Sequence, residues 1–147
     1  MIRRGLSLAC IALSIVVAAG AGDQSEPGLE GDWSTASFLR GGKPLPKEKQ
    51  FPDRIMTIKD GTFTEKRDGK VAVRGPLKVD ASKKPKWIDA TFHEGGPGYG
   101  ETVLGIYELE GDTLKVCCGA AGDPRPATFE SKEGTTLRLI VYKRHKP

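Results

Sequence analysis

Side chains able to do chemistry are sparse in this chain. Histidine occurs at His93 and His145 alone. His145 stands in the 143–147 tail, where chain ends fray, and His93 reads as a solvated surface histidine on the outward face of an alternating segment. A serine nucleophile needs a base within reach and an acid to orient that base. Ser34 and Ser37 lie on no Gly-x-Ser-x-Gly elbow, and His93 has only Asp89 and Glu94 nearby in sequence. No pair of carboxylates is singled out for glycosidic-bond hydrolysis. Gly95-Gly96-Pro97-Gly98-Tyr99-Gly100 has the composition of a phosphate loop, but such loops run into a helix, and Glu101-Thr102-Val103-Leu104 reads as strand. A flexible hairpin loop is expected there, with Tyr99 at its tip as an exposed aromatic placed for a contact. The lysine run Lys83-Lys84-Pro85-Lys86 reads as a solvated turn, with weak attraction to an anionic polymer or lipid head group as the sharper alternative. No catalytic residue, cofactor or metal is expected.

The cysteines are Cys10, Cys117 and Cys118. Adjacent Cα atoms lie about 3.8 Å apart, below the range a disulfide normally spans, and neighbours in a strand point to opposite faces. A Cys117–Cys118 bond is therefore not expected, and neither is a zinc site, which needs about four convergent ligands.

The elements that must position these residues follow from composition and pattern. The chain has 147 residues, 37% hydrophobic and 29% charged, with 19 glycines and 10 prolines. That size suits one domain, and the turn-rich composition suits many short strands. The N-terminus has the form of a secretory signal: Arg3 and Arg4, then an apolar run over 6–19, then Ala19-Gly20-Ala21. Residues 1–21 are expected to be removed, which makes the protein exported, periplasmic or extracellular. The alternative is an anchor left uncleaved. The run is short for a membrane span, so no transmembrane segment is expected in the mature chain. The formal charge of +4 falls to +2 without Arg3 and Arg4. With acids and bases mixed, nucleic acid is not an expected partner.

Residues 22–30 read as a polar leader and 31–144 as the domain. Apart from one or two possible helical turns over 46–51, the domain alternates with period two between turn signals, the pattern of half-buried antiparallel strands. Over 103–118, Gly111-Asp112 suits a two-residue type II′ hairpin. That turn pairs Leu109 with Leu114, Tyr107 with Val116 and Gly105 with Cys118 on the inner face. Outside, Glu108 meets Lys115. Cys118 is then inside and Cys117 outside and accessible. Val71, Val73, Leu77 and Val79 are expected on one face, with Gly75 allowing a bend. Ile88, Ala90 and Phe92 share another, and Leu137, Leu139, Val141 and Lys143 line the inner face of the last strand. About eight strands with short turns predict an all-β, up-and-down antiparallel barrel, with a β-sandwich as the alternative.

Gly31-Asp32-Trp33 at the start of the first strand resembles the Gly-x-Trp motif of lipocalin-type barrels. The resemblance implies that Trp33 closes one end of the barrel under a late basic residue, here Lys143 or Arg144, by a cation–π contact. A wider resemblance rests on Asp80-Ala81-Ser82-Lys83-Lys84-Pro85-Lys86-Trp87-Ile88-Asp89, on Gly105-Ile106-Tyr107-Glu108-Leu109-Glu110-Gly111-Asp112-Thr113-Leu114-Lys115-Val116-Cys117, and on Arg125-Pro126 with Phe129 and Ser131. The Gly41-Gly42-Lys43-Pro44-Leu45 turn fits as well. Over 29–144 the chain is similar to an uncharacterised lipocalin-like family abundant in planctomycete bacteria. That family has no established activity. Cys118 departs from it by standing where a larger residue is usual, which implies extra interior space.

Non-enzymatic binding of a small apolar or amphipathic ligand inside the barrel is the first expectation. Trp33, Tyr107, Cys118 and Lys143 are its candidate lumen or barrel-end residues, although the inward side chains are large enough to fill much of the lumen, which counts against a roomy pocket. A cell-envelope interaction or structural module, with a protein partner on outward Trp87 and Ile106 and on loop Tyr99, is the alternative. An enzyme is the third.

Overall fold

The computed structural model describes residues 26–46, 49–50 and 53–147. The expected signal peptide, and half of the possible helical turns over 46–51, lie outside the described residues. The described chain is all β. Its strands are β1 (Gly31–Arg40), β2 (Lys43–Pro44), β3 (Ile55–Lys59), β4 (Thr62–Arg67), β5 (Lys70–Asp80), β6 (Lys86–Thr91), β7 (Thr102–Glu110), β8 (Thr113–Cys118) and β9 (Arg138–Arg144). All neighbouring pairs are antiparallel, and β9 returns to pair with β1. Eight strands thus close a barrel, with the short β2 appended to the end of β1. Closure leaves no long edge strand to template aggregation. The sandwich alternative is excluded by the β1–β9 pairing.

Turn chemistry sets several registers. Gly111 has φ +56° while Asp112 is not in the left-handed region, as a type II′ turn requires. The ladder beside it pairs Tyr107 with Val116, Glu108 with Lys115 and Gly105 with Cys118, as the pattern predicts. Lys115 Nζ lies 3.1 Å from Glu108 Oε2. Asp60-Gly61 and Asp68-Gly69 have both residues at positive φ, which suits type I′ turns.

Two β-bulges depart from simple alternation. In β1 the register against β9 shifts between Thr35 and Ser37. Trp33 therefore points inward on odd numbers and Phe38 and Arg40 on even ones. Between β4 and β5 the register shifts at Glu65/Lys66, so that Glu65 pairs with Val73 and Lys66 with Val71. Val71 is turned out and 38% exposed, a correction to its expected place beside Val73 and Leu77. Each bulge inserts one residue and flips the facing of everything beyond it.

The last strand also corrects an expectation. Its inward residues are Ile140 and Tyr142, both buried, and they pair with inward Val116 and Leu114 of β8. Leu139, Val141 and Lys143 face outward. Alternation could not decide, because both faces of β9 are apolar. The outer face of β7 and β8 lies under the long connection 119–137, so that outward Ile106 and Cys117 are 1% and 0% exposed. Arg125 pins this connection. Its guanidinium donates to Asp89 Oδ1 at 2.5 Å and to the Gly105 carbonyl at 2.6 Å, and it stacks 4.1 Å from the centre of the Trp87 ring. No helix of the described residues is long and apolar enough to cross a membrane.

Candidate functional site: a cavity open at one barrel end

One end of the barrel is sealed. Trp33 has no exposed surface, and its Nε1 donates to the Leu29 carbonyl at 2.9 Å. Arg144, which pairs with Trp33 across the β1–β9 ladder, lays its guanidinium 4.3 Å from the ring centre. The same group donates to the carbonyls of Gly28 and Glu30 and to Asp112 Oδ1. Arg144 is thus the basic residue over the ring. Lys143 is exposed on the outside, with Nζ donating to Thr113 Oγ1 at 2.6 Å, and it leaves the set of barrel-end residues. Residues 26–30 pack against this end. Leu29 is 3% exposed, and Glu26 accepts from Lys86 Nζ at 2.5 Å and from the Tyr107 hydroxyl at 2.6 Å. Burial, and then the Glu26 carboxylate, raise the Tyr107 pKa. Even the tail is tied down, because the His145 amide donates to the Asp32 carbonyl at 2.8 Å.

The interior beyond this plug is hollow. A cavity of about 600 Å³ opens at the opposite end, within the usual range for small-molecule sites. The large inward side chains therefore do not fill the lumen. Its walls include Ile58, Phe63, Leu77, Ile88, Phe92 and Val103, and Ala90 leaves space where a larger side chain would intrude. Phe63 and Phe92 meet edge to face at 5.5 Å. Gly96 and Pro97 of the glycine-rich loop lean over the opening, with Gly96 directly against the Phe92 ring. Cys118 lines the same space. Paired with Gly105, it has only hydrogen opposite it, and burial raises its thiol to a pKa of about 11.

Among the described residues, five basic side chains, Arg40, Lys49, Arg54, Arg67 and Arg138, line this cavity against one acid, Glu65. Glu65 is 6% exposed. It accepts from Arg54 Nη2 at 2.5 Å and from Arg67 Nε at 2.9 Å. Buried ion pairs of this kind need such multiple bonds to offset desolvation. Arg54 also lies over the Phe38 ring, 5.5 Å from its centre. Tyr142 completes the wall, its hydroxyl pKa raised by burial.

Of the sequence-predicted site residues, only Cys118 reaches the cavity. Trp33 and Tyr107 belong to the sealed end. Tyr99 is 82% exposed and stacks on His93 at 5.1 Å, outside the barrel. Cys117 is buried rather than accessible: its thiol donates to the Glu130 carbonyl at 3.5 Å, and burial raises its pKa. Both cysteines are free. Among the described residues no group of three or more His, Cys, Asp or Glu side chains converges as a metal site. Sequence reasoning missed Arg40, Arg54, Glu65 and Arg138. For Glu65 a signal existed, because it stands two residues after inward Phe63; for Arg40 the β1 bulge hid it.

Comparison of the chain with protein-family models, with curated proteins and with solved structures gives no match.

Proposed function

We propose that the protein is a non-enzymatic binding module that takes a small apolar or amphipathic ligand into the barrel. The observation that carries this reading is the cavity of about 600 Å³, apolar in its depth, plugged at the Trp33 end and open at the other. A core that only had to be stable would close such a space, since unfilled volume costs packing energy. The resemblance to lipocalin-like domains supports the same reading, and the signal-like N-terminus supports export to the periplasm or beyond. The protein-partner alternative draws less support: Ile106 lies under the 119–137 connection, and Trp87 is capped by Arg125 and by Lys83, whose Nζ lies 4.7 Å from the ring centre.

A neutral fluorescent probe, N-phenyl-1-naphthylamine, tests the proposal. Its emission should rise on mixing with the protein and saturate at one probe per chain. Ala90→Phe, which fills the cavity from one wall, should abolish the rise while the far-ultraviolet circular dichroism is retained. Absence of a rise with the folded wild-type protein would overturn the reading.

A further inference from the structure

Resting on that reading, we infer that the ligand is a single-chain amphiphile with an anionic head group, a carboxylate or phosphate, held at the cavity mouth by Arg40 and Arg138 with its tail in the apolar depth. Three independent features converge on this.

Arg40 and Arg138 are directly opposite each other on the β1–β9 ladder, and both line the cavity. Like charges in that relation repel. Among the described residues neither makes an ion pair within 4 Å. Asp123, which feels the charge of Arg138, is itself engaged by the Ala120 amide and the Thr136 hydroxyl. An anion between the two guanidinium groups replaces repulsion with charge-assisted hydrogen bonds.

The second feature is the β1 bulge at Thr35/Ser37. Without it, the facing set by inward Trp33 would put Leu39 inside and Arg40 in solvent. The bulge instead turns Arg40 to the rim of the cavity, where it stays exposed to an arriving ligand, and bulges beside binding sites are known devices for re-aiming a side chain in this way.

The third is Arg54. Its Nε–H is buried and has no acceptor among the described residues, although its Nη2 is bound by Glu65. The group lies over Phe38, one inward position before Arg40 and so about 7 Å along the strand from it. A buried donor without an acceptor is destabilising, and a head-group oxygen reaching this level would satisfy it. Among the described lining residues Glu65 offsets only part of the positive charge, and low-dielectric walls focus the remainder toward the opening.

Competition against the neutral probe separates this inference from the reading it rests on. Tetradecanoate, tetradecyl phosphate, 1-tetradecanol and tetradecyltrimethylammonium share one tail. The better anion should displace the probe with an affinity at least tenfold above the alcohol, the cation should be weakest, and the tighter of the two anions names the head group. Raising salt from 20 to 500 mM should shrink the anion advantage. Arg40→Gln and Arg138→Gln should each lower the anion-to-alcohol affinity ratio about tenfold, whereas Lys143→Gln on the outer surface should leave the ratio unchanged. Equal displacement by anion and alcohol overturns the head-group assignment and leaves the apolar cavity standing. Failure of every amphiphile and of the probe overturns both. The salt and ligand series need only the wild-type protein, so the assignment is decided even if an arginine variant does not fold.

Discussion

The two ends of this barrel use the same side chains to opposite effect. At the sealed end, Arg144 covers Trp33 and donates to two carbonyls and to Asp112, and Lys86 is neutralised by Glu26. Each cation there has acceptors from its own chain. At the open end, among the described residues, Arg40 and Arg138 face each other without such acceptors, and the Arg54 Nε–H is unbonded. An arginine with a full set of partners stabilises the fold, while one lacking them is poised for something that arrives from outside. The difference lies in the partners and not in the residue type.

Breaking the sealed end should have the largest effect. Trp33→Ala removes a fully buried ring together with its bond to Leu29 and its cation–π partner. A loss of about 3–5 kcal/mol is expected, read as a lowered midpoint in urea denaturation. A loss below about 1 kcal/mol would show that the plug is not part of the cooperative core.

The thiols sharpen the comparison on a smaller scale. Cys118 opens to the cavity, while Cys117 lies under the 119–137 connection. Native alkylation with iodoacetamide should modify Cys118 about tenfold faster than Cys117, a difference of about 1.4 kcal/mol in barrier. Both should react slowly near neutral pH, because burial raises both pKa values. The Cys118 thiol ionises at about 11 in the fold and lower in the unfolded chain. Its contribution to stability is therefore complete below about pH 8.5 and lost as the pH climbs toward 11. Faster reaction at Cys117 would place the connection away from the barrel wall.

The smallest effect belongs to the open end. Arg40→Gln removes one of two facing like charges, so stability should stay within about 0.5 kcal/mol of wild type or rise slightly. The same measurement that detects Trp33→Ala checks it. A loss above about 2 kcal/mol would mean that Arg40 is a structural partner and that the two ends are not different in kind.

Local chemistry in the sequence determines much of this molecule. Gly111-Asp112 selects its turn by backbone conformation, and the turn sets the register, so the facing of Glu108, Lys115, Tyr107 and Cys118 follows from the residues between them. Strand period with turn spacing marks an all-β barrel, and the resemblance of Gly31-Asp32-Trp33 to the lipocalin-type motif implies which end is closed. These signals are carried by residues close together in the chain.

What only the tertiary structure decided lies where one residue more or less changes the outcome. The bulges after Thr35 and before Val73 invert side-chain facing, and no composition rule marks them, so alternation alone hides Arg40 and puts Val71 on the wrong face. In β9 both faces are apolar, and only pairing with β8 and cover by the 119–137 connection assign Tyr142 to the lumen and Lys143 to the surface. Cys117 is buried for the same reason. The cavity itself is a remainder of volume among strands distant in sequence, and its unbalanced charge depends on which arginines those strands turn inward. Alternation specifies that a strand has two faces; long-range pairing specifies which face is the inside.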